Sequence, residues 1–444
     1  MMPLRIRIRD NGISIDAQEF VSRLLAIGYS KKRGAKLRGF RGIGRLAGLA
    51  YCQELVFRGR TKSAEPVSEV SWNARKLKEL LNSHDDLRDL QTAVKEIAAV
   101  NRLNGSSYPS RFFEVELRKV IRIKNDVLIN PEAVSLYLSQ VGPVPFRTDF
   151  KYQGEIREFL NIHGVGVEAQ IIVNGGAPLT RPHQSAFALN PKILDRFSGI
   201  KFFKIPGLEN DLDAAGWVLD HGYMGAIPKS QNIGGLRLRA GNIQIGEQTV
   251  LADLFREPRF NSWCVGEFHI LNEKILPNGR RDEFEYSPLY SNVQAHISQI
   301  ANEITRICRA RSGTRNLLKA TTESLQRIEK DLAIVRSIPN TFPFRAKYVN
   351  TLAELIRKHE LTLATRWPQE SEERDVLLRR IDSLRRKMDR TVAENHVNSL
   401  LSKIAPAKKK AYSEVLSAIY EVSSNPSVAH DYVKKIIKQL EAKE

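Results

Sequence analysis

At 444 residues the chain is too long for one small domain, and its 42% hydrophobic content excludes wholesale disorder. Three widely spaced cysteines (Cys52, Cys264 and Cys308) exclude a disulfide scaffold and a cysteine-based zinc site. The net charge of +19 is unevenly placed: residues 1–62 hold 14 Lys/Arg against 4 Asp/Glu, residues 301–444 hold 28 against 18, and the stretch between is near neutral.

The first segment, residues 1–150, opens with the alternating strand Leu4–Arg9 and the turn Asp10-Asn11-Gly12. The spacing of Phe20, Val21, Leu24 and Leu25 predicts a helix over 17–27. A loop rich in Gly, Lys and Arg runs from Gly28 to Arg41 and leads into a helix over 43–51. Residues 73–100 read as helical and Phe112–Val120 as a strand, and Gly142, Pro143 and Pro145 mark a boundary.

The second segment, 151–312, mixes strands such as Ala169–Val173 and Leu236–Ile245 with Gly, Pro and Asn turns. Trp217 and Trp263 read as core anchors. The third, 313–444, is helical. One apolar stripe is Leu317, Leu318, Leu325, Ile328, Leu332 and Val335, and another is Val376, Leu377, Ile381, Leu384 and Met388. Pro339, Pro343, Pro368 and Pro406 break it into a basic bundle or short coiled coil. The fold class expected is α+β, followed by a helical C-terminal region.

The chemistry is concentrated in the first sixty residues. A carboxylate at a strand end, Asp10, can accept a hydrogen bond from an exocyclic amine, and glycine beside it lets a flat base approach the backbone. Some twenty-five residues on, Gly39-Phe40-Arg41-Gly42-Ile43-Gly44 precedes a helix, where free backbone N–H groups and the helix dipole favour phosphate. Between them, Lys31-Lys32-Arg33-Gly34-Ala35-Lys36 has the composition of a basic lid.

In this order and spacing the clusters resemble the GHKL superfamily of gyrase B, the heat-shock-ninety chaperones, histidine kinases, MutL and the MORC proteins. Asp10-Asn11-Gly12-Ile13-Ser14 is similar to its Asp-x-Gly-x-Gly motif, Ile27-Gly28-Tyr29-Ser30-Lys31 to the stretch before the lid, and Gly39–Gly44 to the motif that closes it. The resemblance implies a Bergerat-type nucleotide domain, an α+β transducer and ATP with magnesium as ligands. Asp10 would read adenine, Gly12 would shape the base pocket, and Gly39, Gly42 and Gly44 would cradle phosphates with Lys31 and Arg41. Leu276-Pro277-Asn278-Gly279-Arg280-Arg281-Asp282 is similar to chaperone and MutL loops that carry a γ-phosphate sensor, so Arg280 or Arg281 is the candidate sensor and Lys229 its rival.

The sequence departs from the family in two places. In the family a helix precedes the Asp-x-Gly strand, bearing a Glu that activates water and an Asn that holds magnesium. Here the strand begins at Leu4, so the expectation is a truncated domain with doubtful hydrolysis, a doubtful magnesium site and an uncovered apolar face. Ser14 stands where the family has Gly, and Gly105-Ser106-Ser107 is only an ordinary-looking counterpart of its Gly-Thr element.

The nine histidines lack metal-ligand spacing and read as core or surface residues; Asp220-His221 makes no triad. Arg385-Arg386-Lys387 and Lys408-Lys409-Lys410 suit phosphate backbones or plain solvation. The expected protein is an ATP-binding conformational switch in a reducing cytoplasm, with no membrane span. A homodimer is possible, and the basic C-terminal helices would engage a nucleic-acid or protein client. The alternative is a non-catalytic scaffold or polyanion-binding protein with a degenerate nucleotide fold.

Overall fold

The computed structural model describes residues 4–27, 44–63, 65–82, 89–122, 126–166, 168–209, 211–340, 342–367, 371–393, 401, 403–423 and 425–442. The chain divides into two compact units, 1–302 and 303–444. The first unit contains two five-stranded sheets and the second is helical, so the architecture is α+β with a helical C-terminal region.

The first lobe runs β1 (Arg5–Asp10), α1 (Ala17–Leu25), a 3₁₀ turn (Gly44–Ala50), β2 (Cys52–Arg60), β3 (Val67–Asn73), α2 (Ala74–Leu81), α3 (Leu90–Ile97), β4 (Ala98–Leu103) and β5 (Phe112–Val120). All its pairings are antiparallel, in the order β1-β5-β2-β3-β4. Alternation sends Phe57, Val70, Trp72, Val115 and Leu117 to one face, where Phe20 and Leu24 of α1 close the core. The segment 73–100 is not one helical stretch: α2 and α3 are short, and 98–100 pair with β3. The apolar face is open at its β1 edge, where Ile8 is 63% exposed.

α4 (Pro131–Val141) starts with Asn130, whose side chain accepts from the amides of Glu132 and Ala133. After it come α5 (Gln153–Ile162), the hairpin β6 (Ala186–Asn190) and β7 (Ile193–Arg196), then β8 (Gly199–Pro206), β9 (Leu212–Asp220), β10 (Gly235–Ala240), β11 (Ile243–Ile245) and β12 (Val265–Ile270). The second sheet is ordered β11-β10-β12-β9-β8, with β10 and β12 parallel. The strand expected at 236–245 is therefore two, turned at Gly241-Asn242. The strand expected at 169–173 does not form. Its backbone makes scattered bonds, Ala169 N–H to the Pro143 carbonyl and Leu179 N–H to the Ile171 carbonyl, with no ladder. Trp217 is fully buried, whereas Trp263 is half-buried.

α6 (Pro288–Ser337) is followed in the second unit by α7 (Pro343–Arg366), α8 (Glu372–Ala393), α9 (Pro406–Val422) and α10 (Pro426–Glu441). Pro343, Pro406 and Pro426 each open a helix, where the missing N–H costs nothing. Leu325, Ile328, Leu332 and Val335 pack with Leu352, Ile356, Leu363, Leu377, Ile381 and Leu384 in one core. Val376 does not belong to the stripe: one residue ahead of Leu377, it is turned about 100° around the helix and is half exposed. Part of the basic run on α8 is spent internally, Arg385 on Glu360 at 2.6 Å and Lys387 on Glu329 at 2.5 Å. Among the described residues no helix is long and apolar enough to cross a membrane.

Candidate functional site

The turn after β1 is built around Asp10. One carboxylate oxygen accepts the Gly12 amide at 2.9 Å, which orients an otherwise exposed side chain and leaves its second oxygen available. Ser14 then adopts φ +68° and lies over Gly59 of β2. That packing requires glycine at 59, since a Cβ there would stand 2.8 Å from Ser14 Oγ and 3.1 Å from the Phe112 carbonyl oxygen. Asp16 ends the turn by capping α1 through the Gln18 amide at 2.9 Å.

Ser14 is strained twice, by its left-handed backbone and by a buried hydroxyl that has no partner. Ser14→Gly is therefore expected to stabilise the first unit by roughly 0.5–1 kcal/mol, after the entropy cost of glycine. Chemical unfolding of the two proteins reads this; an equal or lower midpoint would mean the hydroxyl packs better than its geometry suggests.

Lys31, Gly39, Arg41 and Gly42 lie outside the described residues. Gly44 opens the 3₁₀ turn, and a Cβ there would meet none of the described residues within 4 Å. That turn enters β2 at the Cys52–Val120 end of the sheet, while Asp10 sits level with Phe113 and Gly59 at the other. The carboxylate turn and the entry to β2 are thus at opposite ends. Gly105–Ser107 lies in an ordinary loop, with Arg60 donating to the neighbouring carbonyls of Tyr108 and Pro109 at 2.5 and 2.7 Å.

On the opposite face of this sheet the even-numbered positions of β5 place Glu114 and Glu116 beside arginines. Arg58 bonds Glu69 at 2.7 Å and both of those carboxylates at 2.9 Å. Arg7 and Arg9 of β1 close the ladder from the edge. Burial alone would raise the Glu116 pKa, but Arg58 and Arg118 reverse that and hold it at about 2. Burial alone would lower Arg58, but Glu116, Glu69 and Glu114 raise it.

In the second lobe Lys229 is exposed in a 3₁₀ turn, Lys229–Gln231, that Asn232 closes at φ +55°. Arg280 and Arg281 are exposed at the tip of a tight turn bridged at Pro277 and Phe284. The turn is held by Asn278 N–H to the Glu283 carbonyl at 2.8 Å. Arg281 has φ +59°, an unfavourable conformation for a long side chain, and its carbonyl accepts the Gly246 amide at 3.0 Å. Gly246 follows β11, which runs antiparallel to β10, so this turn and the Lys229 turn lie at one end of the second sheet. Asp10 and Gly12 are brought together. The basic candidates share a sheet end in the other lobe.

Sequence reading missed the most unusual feature of the second sheet. Arg181, Arg237, Arg239, Glu267, His183 and His269 are all buried together. Arg239 lies 2.8 Å and Arg181 2.5 Å from Glu267, and Arg239 also donates to the Gln140 carbonyl at 2.7 Å, at the C-terminal end of α4. Burial would raise the Glu267 pKa, yet Arg181 and Arg239 hold it well below the carboxylate range. Burial lowers Arg181 and Arg237 to about 10, His183 to about 3 and His269 to about 4. The alternation Leu236-Arg237-Leu238-Arg239 would ordinarily mean a solvated face; here the distant Gln140 bonds both arginines, together with the nearer Asn232, Asn242 and Gln244.

His221 is a structural residue. Its ring nitrogens lie 2.9 Å from Asp195 and 2.9 Å from the Trp263 carbonyl. The three cysteines are buried and are not joined to one another by disulfides, and among the described residues no group of three or more His, Cys, Asp and Glu could hold a metal ion.

No family model matches the chain, and no curated protein matches it in sequence. Among solved structures it is similar to the ATPase region of Saccharomyces cerevisiae topoisomerase II bound to ICRF-187 (dexrazoxane). The identity is 10%, the match covers 68% of this chain and 77% of that one, and the TM-score is 0.32. A second structure of the same ATPase region gives the same identity and coverage with a TM-score of 0.31. A likeness that slight assigns no activity to this chain.

Proposed function

We propose that the chain is an ATP-binding conformational switch of GHKL type, its first lobe a Bergerat-type nucleotide domain and its second a transducer. The observation that carries this is the Asp10 turn: a strand-end carboxylate, oriented by the Gly12 amide, with one oxygen left to accept the amine of a purine. The ordered glycine motifs that follow it in sequence support the same reading. Phosphates would be met by the Gly39–Gly44 segment with Lys31 and Arg41, and the γ-phosphate by Arg281, Arg280 or Lys229. The strained backbone of Arg281 favours it over its neighbours, because such conformations concentrate at functional sites. Magnesium would be held mainly through the nucleotide phosphates and water. Nucleotide would act by stabilising one arrangement of the two lobes. Clients, protein or nucleic acid, would meet the basic C-terminal helices, and the active form would be a homodimer.

Calorimetric titration with ATP and magnesium tests the reading. Micromolar binding is expected, and Asp10→Ala should weaken it by about 1.5–3 kcal/mol, the worth of a hydrogen bond to a charged group. Undiminished affinity in that variant would sink the adenine assignment. A second reading, a polyanion-binding scaffold, is favoured by Arg5, Arg7 and Arg9, which project in a row from one face of β1 with side chains 57%, 52% and 38% exposed. It predicts binding that ignores nucleotide and collapses with added salt.

A further inference from the structure

Arg237, on β10, is 1% exposed, and its side chain meets three separate parts of the first unit. Nη2 donates to the Asn232 carbonyl at 2.6 Å and to Gln140 Oε1 at 3.3 Å, while Nη1 donates to Gln244 Oε1 at 3.2 Å. Asn232 closes the turn that carries Lys229. Gln140 lies in the last turn of α4, and its Nε2 also donates to Asn232 Oδ1 at 3.4 Å. Gln244, on β11, passes the connection on: its Nε2 donates to the Gly246 carbonyl at 2.9 Å, and the Gly246 amide donates to the Arg281 carbonyl.

A continuous run of hydrogen bonds therefore joins α4 to both basic turns, with Arg237 at the branch. Gly246 seats the Arg281 turn directly on the strand. It has φ +70°, and a Cβ there would stand 2.5 Å from the Asp282 carbonyl oxygen, so any side chain would push the turn away. Both terminal nitrogens of Arg237 are bonded while its buried Nε has no partner, so the order of the run rests on the Nη1 and Nη2 bonds.

We infer that Arg237 is a positioning residue that ties the Lys229 and Arg281 turns to the end of α4, so that the two turns keep a common position and move only with α4. The inference rests on the ATP-switch reading, in which one of these turns meets the γ-phosphate. A brace that merely held the fold would leave nucleotide preference untouched.

The test is titration of the full chain with ADP and with β,γ-imido ATP, using Gln244→Ala, Arg281→Ala and the double variant. Gln244→Ala is expected to reduce the preference for the triphosphate about five- to tenfold with ADP affinity unchanged. In the Arg281→Ala background it should change nothing further, since coupled residues are non-additive. The pair Gln140→Ala and Lys229→Ala reads the other branch. Equal loss for both nucleotides, or equal loss in both backgrounds, overturns the inference. Gly246→Ala displaces the Arg281 turn without touching the guanidinium, and decides the matter if Gln244→Ala does not fold. It should reproduce the lost preference in a protein that still folds, at a lowered unfolding midpoint because alanine is strained at this left-handed position; full preference in that folded variant also overturns the inference. If Arg281→Ala and Lys229→Ala both leave the preference intact, the sensor assignment has failed, a result distinct from failure of Gln244 alone.

Discussion

Glu267→Gln is expected to destabilise the first unit by about 3–5 kcal/mol, the cost of breaking a buried ion pair by removing one partner. Glu267 is the carboxylate shared by Arg181 and Arg239, with Arg237 buried in the same cluster. Gln keeps the shape and removes the charge, leaving buried guanidinium groups facing one another. The carbonyls of Gln140, Val144 and Asn232 would still accept from them, which sets the upper bound. Urea unfolding followed by Trp217 fluorescence measures the loss. A change below about 1 kcal/mol would show that main-chain carbonyls alone satisfy the cluster.

Acidification from pH 7 to pH 5 should remove on the order of 3–4 kcal/mol from the same unit. His183 and His269 are buried and neutral, with pKa values lowered to about 3 and about 4. Unfolded, each titrates near 6.5, so below that pH the unfolded chain binds more protons than the folded one. Their contribution is complete above about pH 6.5 and is lost as pH falls toward 4 and 3. The depressed Glu267 acts in the same direction, but only below the ordinary carboxylate range. His183 packs against Phe146, Phe150 and Trp217 at ring distances of 5.2–5.7 Å, so His183→Phe should fit the site. Calorimetric unfolding at the two pH values should show roughly half the acid loss in that variant. A loss equal to that of the parent would mean His183 is already charged in the folded state.

Local physics made much of the fold legible. β5 lies over the nine residues its alternation predicts, and α1 lies where the Phe20 and Leu24 spacing puts it. Of the C-terminal helices, α7, α9 and α10 start at prolines, and α6 and α8 bury the stripes expected of them, apart from Val376. The 169–173 segment failed because an apolar run becomes a strand only if a neighbouring edge accepts its backbone, and its bonds go to Pro143 and Leu179. The Asp10–Gly12 turn was legible because a turn is a matter of adjacent residues, and the Asx bond needs only two.

The sequence by itself determined the charge distribution, the order of the motifs, the absence of any cysteine framework and the period of β1, α1, β5 and the C-terminal helices. Each of these depends on residues within one turn or strand of each other. Only the tertiary structure decided that Arg237 and Arg239 face inward, that Glu267 is their counter-charge, and that the Lys229 and Arg281 turns share one end of a sheet and one hydrogen-bonded run. In sequence, Gln140 stands 97 positions from Arg237 and Arg181 stands 86 from Glu267. A buried charge and a solvated one have the same local pattern. What separates them is the distant segment that removes the water, and its contacts form only when the chain is folded.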